Sequence, residues 1–166
     1  PIAMRHIITV ISDMHVGSST GLMPHDGLQS QDGVVTPPSK FQRGLLIMLD
    51  DFFANFVPKS KRKDQRLLVL NGDIIDGFHH NTVNIVTNDI SAQRKAAVKL
   101  IKKYLPDYDM AFVVRGTEAH VGQAAQEDDT IGKDIGAHQD ENGDFSFWQL
   151  NLVCQNILFN FAHHIG

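Results

Sequence analysis

Two carboxylates and an imidazole stand directly after two short apolar runs: Asp13 and His15 in Ile11-Ser12-Asp13-Met14-His15, and Asp73 in Asn71-Gly72-Asp73-Ile74-Ile75-Asp76. An aspartate and a histidine one residue apart on a turn can reach a single ion, because an irregular turn frees them from the opposite-face alternation of a strand. Gly72 permits a tight turn that aims Asp73 back across the same edge, where its carboxylate can bridge two cations. Oxygen and nitrogen donors together suit Mn, Fe, Zn or Ni better than Ca or Mg. The chain has a single cysteine, Cys154, which argues against a structural zinc site of paired thiolates. Of nine histidines, His15, His79, His80, His120, His163 and His164 all follow expected strands or fall in strand-end loops.

For these residues to converge, the runs before them must lie side by side with their carboxyl ends at one edge. His6–Ile11 and residues 66–70 both read as short buried strands, and the edge beyond such strands is where open α/β folds hold ligands. The polar stretch 17–40, rich in Gly, Ser, Asp and Pro, has no internal periodicity, and a loop of that length is usually functional or mobile. Phe41, Leu45, Leu49, Phe52, Phe53 and Phe56 recur at helical spacing and predict a helix with one buried face, stopped by Pro58. A second helix is expected from its cap Asp89 to Leu105, with Ala97, Val98, Ile101, Tyr104 and Leu105 as the apolar stripe and Pro106 as its end. Met110–Val114 predicts a third strand, followed by Arg115-Gly116-Thr117-Glu118-Ala119-His120. Strand, helix, strand, helix, strand is the βαβ pattern of a parallel sheet, so the fold class is α/β. The polar stretch 121–144 holds a short helix near 123–126 or 130–137. Residues 145–152 and 157–162, with Gln155-Asn156 as the turn, read as an antiparallel hairpin whose Trp148 and neighbouring phenylalanines belong to the core.

The bulk properties agree with one domain spanning 1–166: 166 residues with 42% hydrophobic content can bury one sizeable core. A net charge of -4 gives no basic field, so nucleic acid is not indicated as a partner. The basic run 59–63 follows Pro58 between two elements and reads as a solvated loop. A lone cysteine beside Leu152 and Val153 reads as a buried thiol in a reducing compartment. No stretch reaches the roughly 18 apolar residues of a membrane span, and the amino terminus lacks a secretory pattern, so the chain reads as soluble and cytoplasmic, with no membrane partner.

In this order the motifs resemble those of the calcineurin-like metallophosphoesterase superfamily, which run Asp-x-His, Gly-Asp-x-x-Asp, Gly-Asn-His-Asp/Glu, a histidine after a strand, and Gly-His-x-His. The first two match in full as Asp13-Met14-His15 and Gly72-Asp73-Ile74-Ile75-Asp76. The resemblance implies a mixed sheet within a four-layer α/β/β/α sandwich and two divalent metal ions. It implies that Asp13 and His15 hold one metal, that Asp73 bridges both, and that Asp76 orients a ligand or the turn from behind. The third motif departs, with Thr117 and Glu118 where the family has Asn and His. His120, and less directly Glu118, then takes the role of assisting the leaving group, and the phrase is similar to that of a divergent branch found in phage-encoded members. The fourth motif fits as Phe161-Ala162-His163-His164, with His163 the first choice as ligand to the second metal and His164 the reserve. Gly-His-x-His is absent before Gly166, so the family's last strands are expected to be missing.

The implied activity is hydrolysis of a phosphoester substrate, as phosphatase or phosphodiesterase, by a metal-activated water, with His120 as acid or hydrogen-bond donor. A non-catalytic metal-binding or interaction module on the same scaffold is the alternative, motivated by the altered third motif; a nuclease of the same superfamily ranks below both. His79 and His80 either line a substrate pocket beside Asp76 or are plain surface. His6, His25 and His138 read as structural or solvent-facing, and Arg115 as a strand-end surface arginine rather than a phosphate contact. Glu127-Asp128-Asp129 reads as a solvated acidic run. Composition leaves oligomeric state, metal identity and substrate open.

Overall fold

In the computed structural model, residues 5–61, 63–78, 84–118 and 126–163 are described. The elements run β1 (His6–Ile11), β2 (Leu28–Gln29), β3 (Val35–Thr36) and α1 (Lys40–Asp51), which runs into a π-helical turn at Phe52–Phe56. Then follow β4 (Gln65–Asn71), α2 (Ile90–Lys102), a 3-10 turn at Leu105–Asp107, β5 (Met110–Val114), α3 (Gln126–Ile135), β6 (Leu150–Cys154) and β7 (Ile157–Phe161). This is a mixed α/β architecture whose centre is a parallel sheet of order β1-β4-β5. The register pairs Ile11 with Leu70 and Asn71 with Val114, so all three strands end at one level.

Side chains alternate across the sheet. Leu68, Leu70, Ala111 and Val113 face a helical layer with Leu46 of α1, Ala97, Leu100 and Ile101 of α2, and Ile131 and Ile135 of α3. Leu67, Val69, Phe112 and Val114 face the hairpin side chains Leu150 and Cys154. Coverage on both faces explains why 67–70 is continuously apolar rather than alternating. The expected hairpin is present, its turn made by Gln155 (φ 53) and Asn156 (φ 65) as a two-residue loop with both residues left-handed. It forms a separate two-stranded layer under the sheet, packed on it through Leu150 and Cys154, while an isolated bridge joins Val114 of β5 to Phe147 ahead of the hairpin; the three-stranded sheet itself is parallel rather than mixed.

Helix α1 starts at a capping box: Gln42 N donates to Ser39 Oγ at 3.2 Å and Ser39 N to Gln42 Oε1 at 3.0 Å. Its inward face is Gln42 and Leu46, with Leu49 and Phe53 packed at the margin. Phe41 and Phe56, expected on that face, are 57% and 78% exposed. Residue 41 lies a sixth of a turn or more off the 42, 46, 49, 53 stripe, and the π turn, closed by Val57 N to Phe52 O at 2.9 Å, inserts a residue that swings Phe56 outward. Helix α2 is capped by Asp89, which accepts from Ala92 N at 3.1 Å. It ends at Lys102 rather than 105, because Pro106 has no N–H to donate to the Lys102 carbonyl and its ring crowds that oxygen, so the chain continues as the 3-10 turn instead. The stretch 17–40 is held down by the β2–β3 ribbon and by Met23 and Leu28, both fully buried. Among the described residues no helix is long and apolar enough to cross a membrane.

Candidate metal centre

The pairing of β1 with β4 does not stop where the strands do. Asp13 N donates to Gly72 O at 3.2 Å, His15 N to Asp73 O at 3.0 Å, Val16 N to Ile74 O at 3.0 Å, and Asp76 N to Val16 O at 3.0 Å. The two strand-end loops are therefore laced together. Within them Asp13 (φ 56), His15 (φ 44) and Asp73 (φ 49) all adopt left-handed backbone, alongside Gly72 (φ 80). For a residue with a Cβ that conformation costs about 1–2 kcal/mol, and such strain collects at functional sites. Outside these loops the only other described non-glycine residues with positive φ are the two of the hairpin turn.

The strained backbone turns the side chains toward one another. Asp13, His15 and Asp73 each offer one donor atom, and the three atoms lie within 4.8 Å of each other. His15 Nε2 is 3.7 Å from Asp13 Oδ1, and His15 Nδ1 is 3.4 Å from Asp76 Oδ1. The buried Asp76 carboxylate therefore sits behind His15 on its Nδ1 side, leaving Nε2 toward the cluster. His163, brought in after β7, places Nε2 3.1 Å from Asp73 Oδ2 and 3.9 Å from Asp13 Oδ1. Its Nδ1 is 2.7 Å from Asn71 O, a hydrogen bond that puts the ring proton on Nδ1 and points Nε2 at the carboxylates. Burial opposes charge on His163, but the Asn71 carbonyl and the Asp73 and Asp13 carboxylates outweigh it and raise its pKa. A ring nitrogen whose surroundings favour a proton in that way also suits a cation.

The third strand end supports Asp73. Thr117 N donates to Asp73 Oδ1 at 2.8 Å, and Thr117 Oγ1 lies 3.2 Å from the same oxygen. Gly116 is required there, since a Cβ would stand 2.4 Å from both Asp73 N and Asp73 Oδ1. Glu118 is exposed. His120 and His164, and with them His79 and His80, lie outside the described residues.

Several side chains depart from the sequence reading. Glu127-Asp128-Asp129 is not a solvated run: Glu127 pairs with Arg94 at 3.0 Å, Asp129 Oδ1 accepts from Phe145 N at 2.6 Å, and Asp128 is 0% exposed with Oδ2 accepting from Gly116 N at 2.7 Å. The signal was the spacing Asp128, Ile131, Gly132, Ile135, which is the buried stripe of α3. Burial, with the charge of Asp73 adding to it, pushes the Asp128 carboxyl up to about 7. Trp148 is not core but 61% exposed, because the strand begins only at Leu150. Arg115 is neither free surface nor turned to the cluster: it binds Ser146 Oγ at 2.9 Å and Asp144 Oδ2 at 2.8 Å and lies over the Trp148 ring. Sequence reasoning also passed over Ser12, whose Oγ reaches the Asp13 carboxylate and lies 2.8 Å from Asn71 O. It passed over Gln93 too, whose buried amide holds Gly77 N at 2.9 Å and Thr87 O at 2.8 Å and so pins the turn after Asp76. His25 stays apart near Asp50, and His138 hangs at the opposite end of β5, its N–H on Ala111 O.

Carboxylates outnumber imidazoles in this cluster, and its oxygen and nitrogen donors fit a first-row divalent cation. A scan against protein-family models found no match to this chain, and neither did a search of curated proteins.

Proposed function

We propose that this protein is a metal-dependent hydrolase of phosphate esters with the site plan of the calcineurin-like metallophosphoesterases. The observation that carries the reading is the convergence of Asp13, His15 and Asp73 from two laced strand ends, each in strained left-handed backbone. Asp13, His15 and Asp73 would hold one ion, and Asp73 with His163 a second. Two bound divalent ions in such a site supply a nucleophilic water at neutral pH and offset the charge of the phosphoryl oxygens. The residues do the positioning. Asp76 places its carboxylate beside His15 Nδ1, Asn71 O fixes the ring of His163, and Thr117 holds one oxygen of Asp73. A phosphoester is anionic, and carboxylates at Asp13, Asp73 and Asp76 would repel it unless cations offset them. His120 remains the proposed donor to the leaving group.

The test is hydrolysis of an aryl phosphate monoester and of its diester with added Mn, alongside metal content, in the wild type and in Asp73→Asn. We expect the variant to lose bound metal and at least about 100-fold in turnover; full metal content with full activity would overturn the bridging role. A second reading, a metal-binding module without turnover, is favoured by one detail: Thr117 directs its N–H and hydroxyl at Asp73 where the family has an amide ligand. One bound ion and no hydrolysis of either ester would support it.

A further inference from the structure

We propose that Asp128 is a positioning residue for Asp73: through Gly116 and Thr117 it fixes the orientation in which Asp73 presents Oδ2 to the cluster. The inference rests on the reading of Asp73 as a metal ligand. The path is continuous. Asp128 Oδ2 accepts from Gly116 N at 2.7 Å, Gly116 lies against Asp73 with no room for a Cβ, and Thr117 N donates to Asp73 Oδ1 at 2.8 Å. Asp73 Oδ1 is thereby committed to the third strand end, while Oδ2 faces His163 Nε2 at 3.1 Å.

Asp128 is itself held firmly. On one side of it Glu127 is tied to Arg94 of α2, on the other Asp129 to Phe145 N, and α3 packs on both α2 and β5. The first turn of α3 is therefore a rigid base for the Gly116 turn. A fully buried carboxyl is a costly way to satisfy one N–H, and its Oδ1 is buried with no hydrogen-bond partner among the described residues. Burial and the neighbouring Asp73 charge raise its pKa to about 7, so near neutral pH it carries much less charge than a free aspartate. What the position requires is an oxygen acceptor at a fixed place. Partners that stand behind a metal ligand in this way change metal affinity by about 10–100-fold when removed.

The experiment is Mn binding, read by electron paramagnetic resonance well below the melting temperature, for Asp128→Ala, Asp128→Leu and Asp128→Asn beside Asp73→Asn. Asparagine keeps an acceptor oxygen; alanine removes it, and leucine removes it at nearly constant volume. We expect Mn to bind about 10–100-fold more weakly to whichever of the alanine and leucine variants folds, and Asp128→Asn to restore affinity to within about 3-fold of the wild type. Wild-type affinity without the acceptor, or an asparagine variant as weak as the alanine one, overturns the proposal. Should neither the alanine nor the leucine variant fold, Asp128→Glu, which displaces the acceptor oxygen by one methylene, decides: about 3-fold or more lost supports the path, and unchanged affinity overturns it. If Asp73→Asn itself loses no Mn, the metal-centre reading fails; if it does and Asp128→Ala does not, only this inference fails.

Discussion

Gly72→Ala isolates the geometry that brings His163 to the cluster. Gly72 has φ 80, and a Cβ built on it would stand 2.3 Å from His163 Cγ and 2.6 Å from His163 Nδ1. Backbone strain for alanine in that conformation is about 1–2 kcal/mol. Ordinary contact needs about 1 Å more than the space present, so the imidazole must withdraw by roughly that much. A shift of that size takes Nδ1 away from Asn71 O, now at 2.7 Å, and Nε2 away from Asp73 Oδ2, now at 3.1 Å. Losing the carbonyl hydrogen bond adds about 1 kcal/mol, for a total of roughly 2–3 kcal/mol. For a chain of this size that lowers Tm by about 4–12 °C. The assay is a cycle of thermal melts on the wild type, Gly72→Ala, His163→Ala and the double variant, with Mn stoichiometry measured by calorimetry. In the His163→Ala background the overlap is gone, so Gly72→Ala should cost only its backbone share. On the proposed two-ion reading, stoichiometry should fall from two ions to one in Gly72→Ala, the position formed by Asp13, His15 and Asp73 keeping its ion. An equal cost of Gly72→Ala in both backgrounds, or two ions still bound, refutes the argument.

Asp76→Ala removes the carboxylate 3.4 Å behind His15 Nδ1 and should weaken Mn binding by about 10–100-fold, measured by titration; an unchanged affinity would detach Asp76 from the site. The Asp128 carboxyl, raised from 3.8 to about 7 in the folded state, binds a proton more tightly folded than unfolded. Its contribution to stability is therefore fully present below about pH 4 and is lost as pH rises through 7, on the order of 4 kcal/mol in all. Urea unfolding of chelator-treated wild type and Asp128→Asn should show the wild type losing that much relative to the variant between pH 4 and 8, and parallel curves would contradict the shift.

Much of this was legible in the chain itself. The strands at 6–11 and 110–114, the Asp89 cap, the stop before Pro58 and the Gln155-Asn156 turn are all local, set by propensity, caps and turn chemistry within a few residues. So were the identities of Asp13, His15, Asp73 and Asp76, because donor type and position after a strand are properties of short phrases. What the tertiary structure decided was direction and partnership. Periodicity announced a stripe on α1, but only its packing on the sheet chose Gln42 and Leu46 over Phe41, and a π turn invisible to a 3.6-residue period put Phe56 outside. Three adjacent carboxylates read as solvated until the fold brought Gly116 N to Asp128 and Arg94 to Glu127. His163 reaches Asp73 from 90 residues away in sequence only because the hairpin lies under the sheet and Gly72 leaves room for its ring. The sequence by itself determined which donors the protein owns. Their common focus was set by the tertiary structure, since hydrogen bonds and burial between distant segments depend on the packing that brings them together.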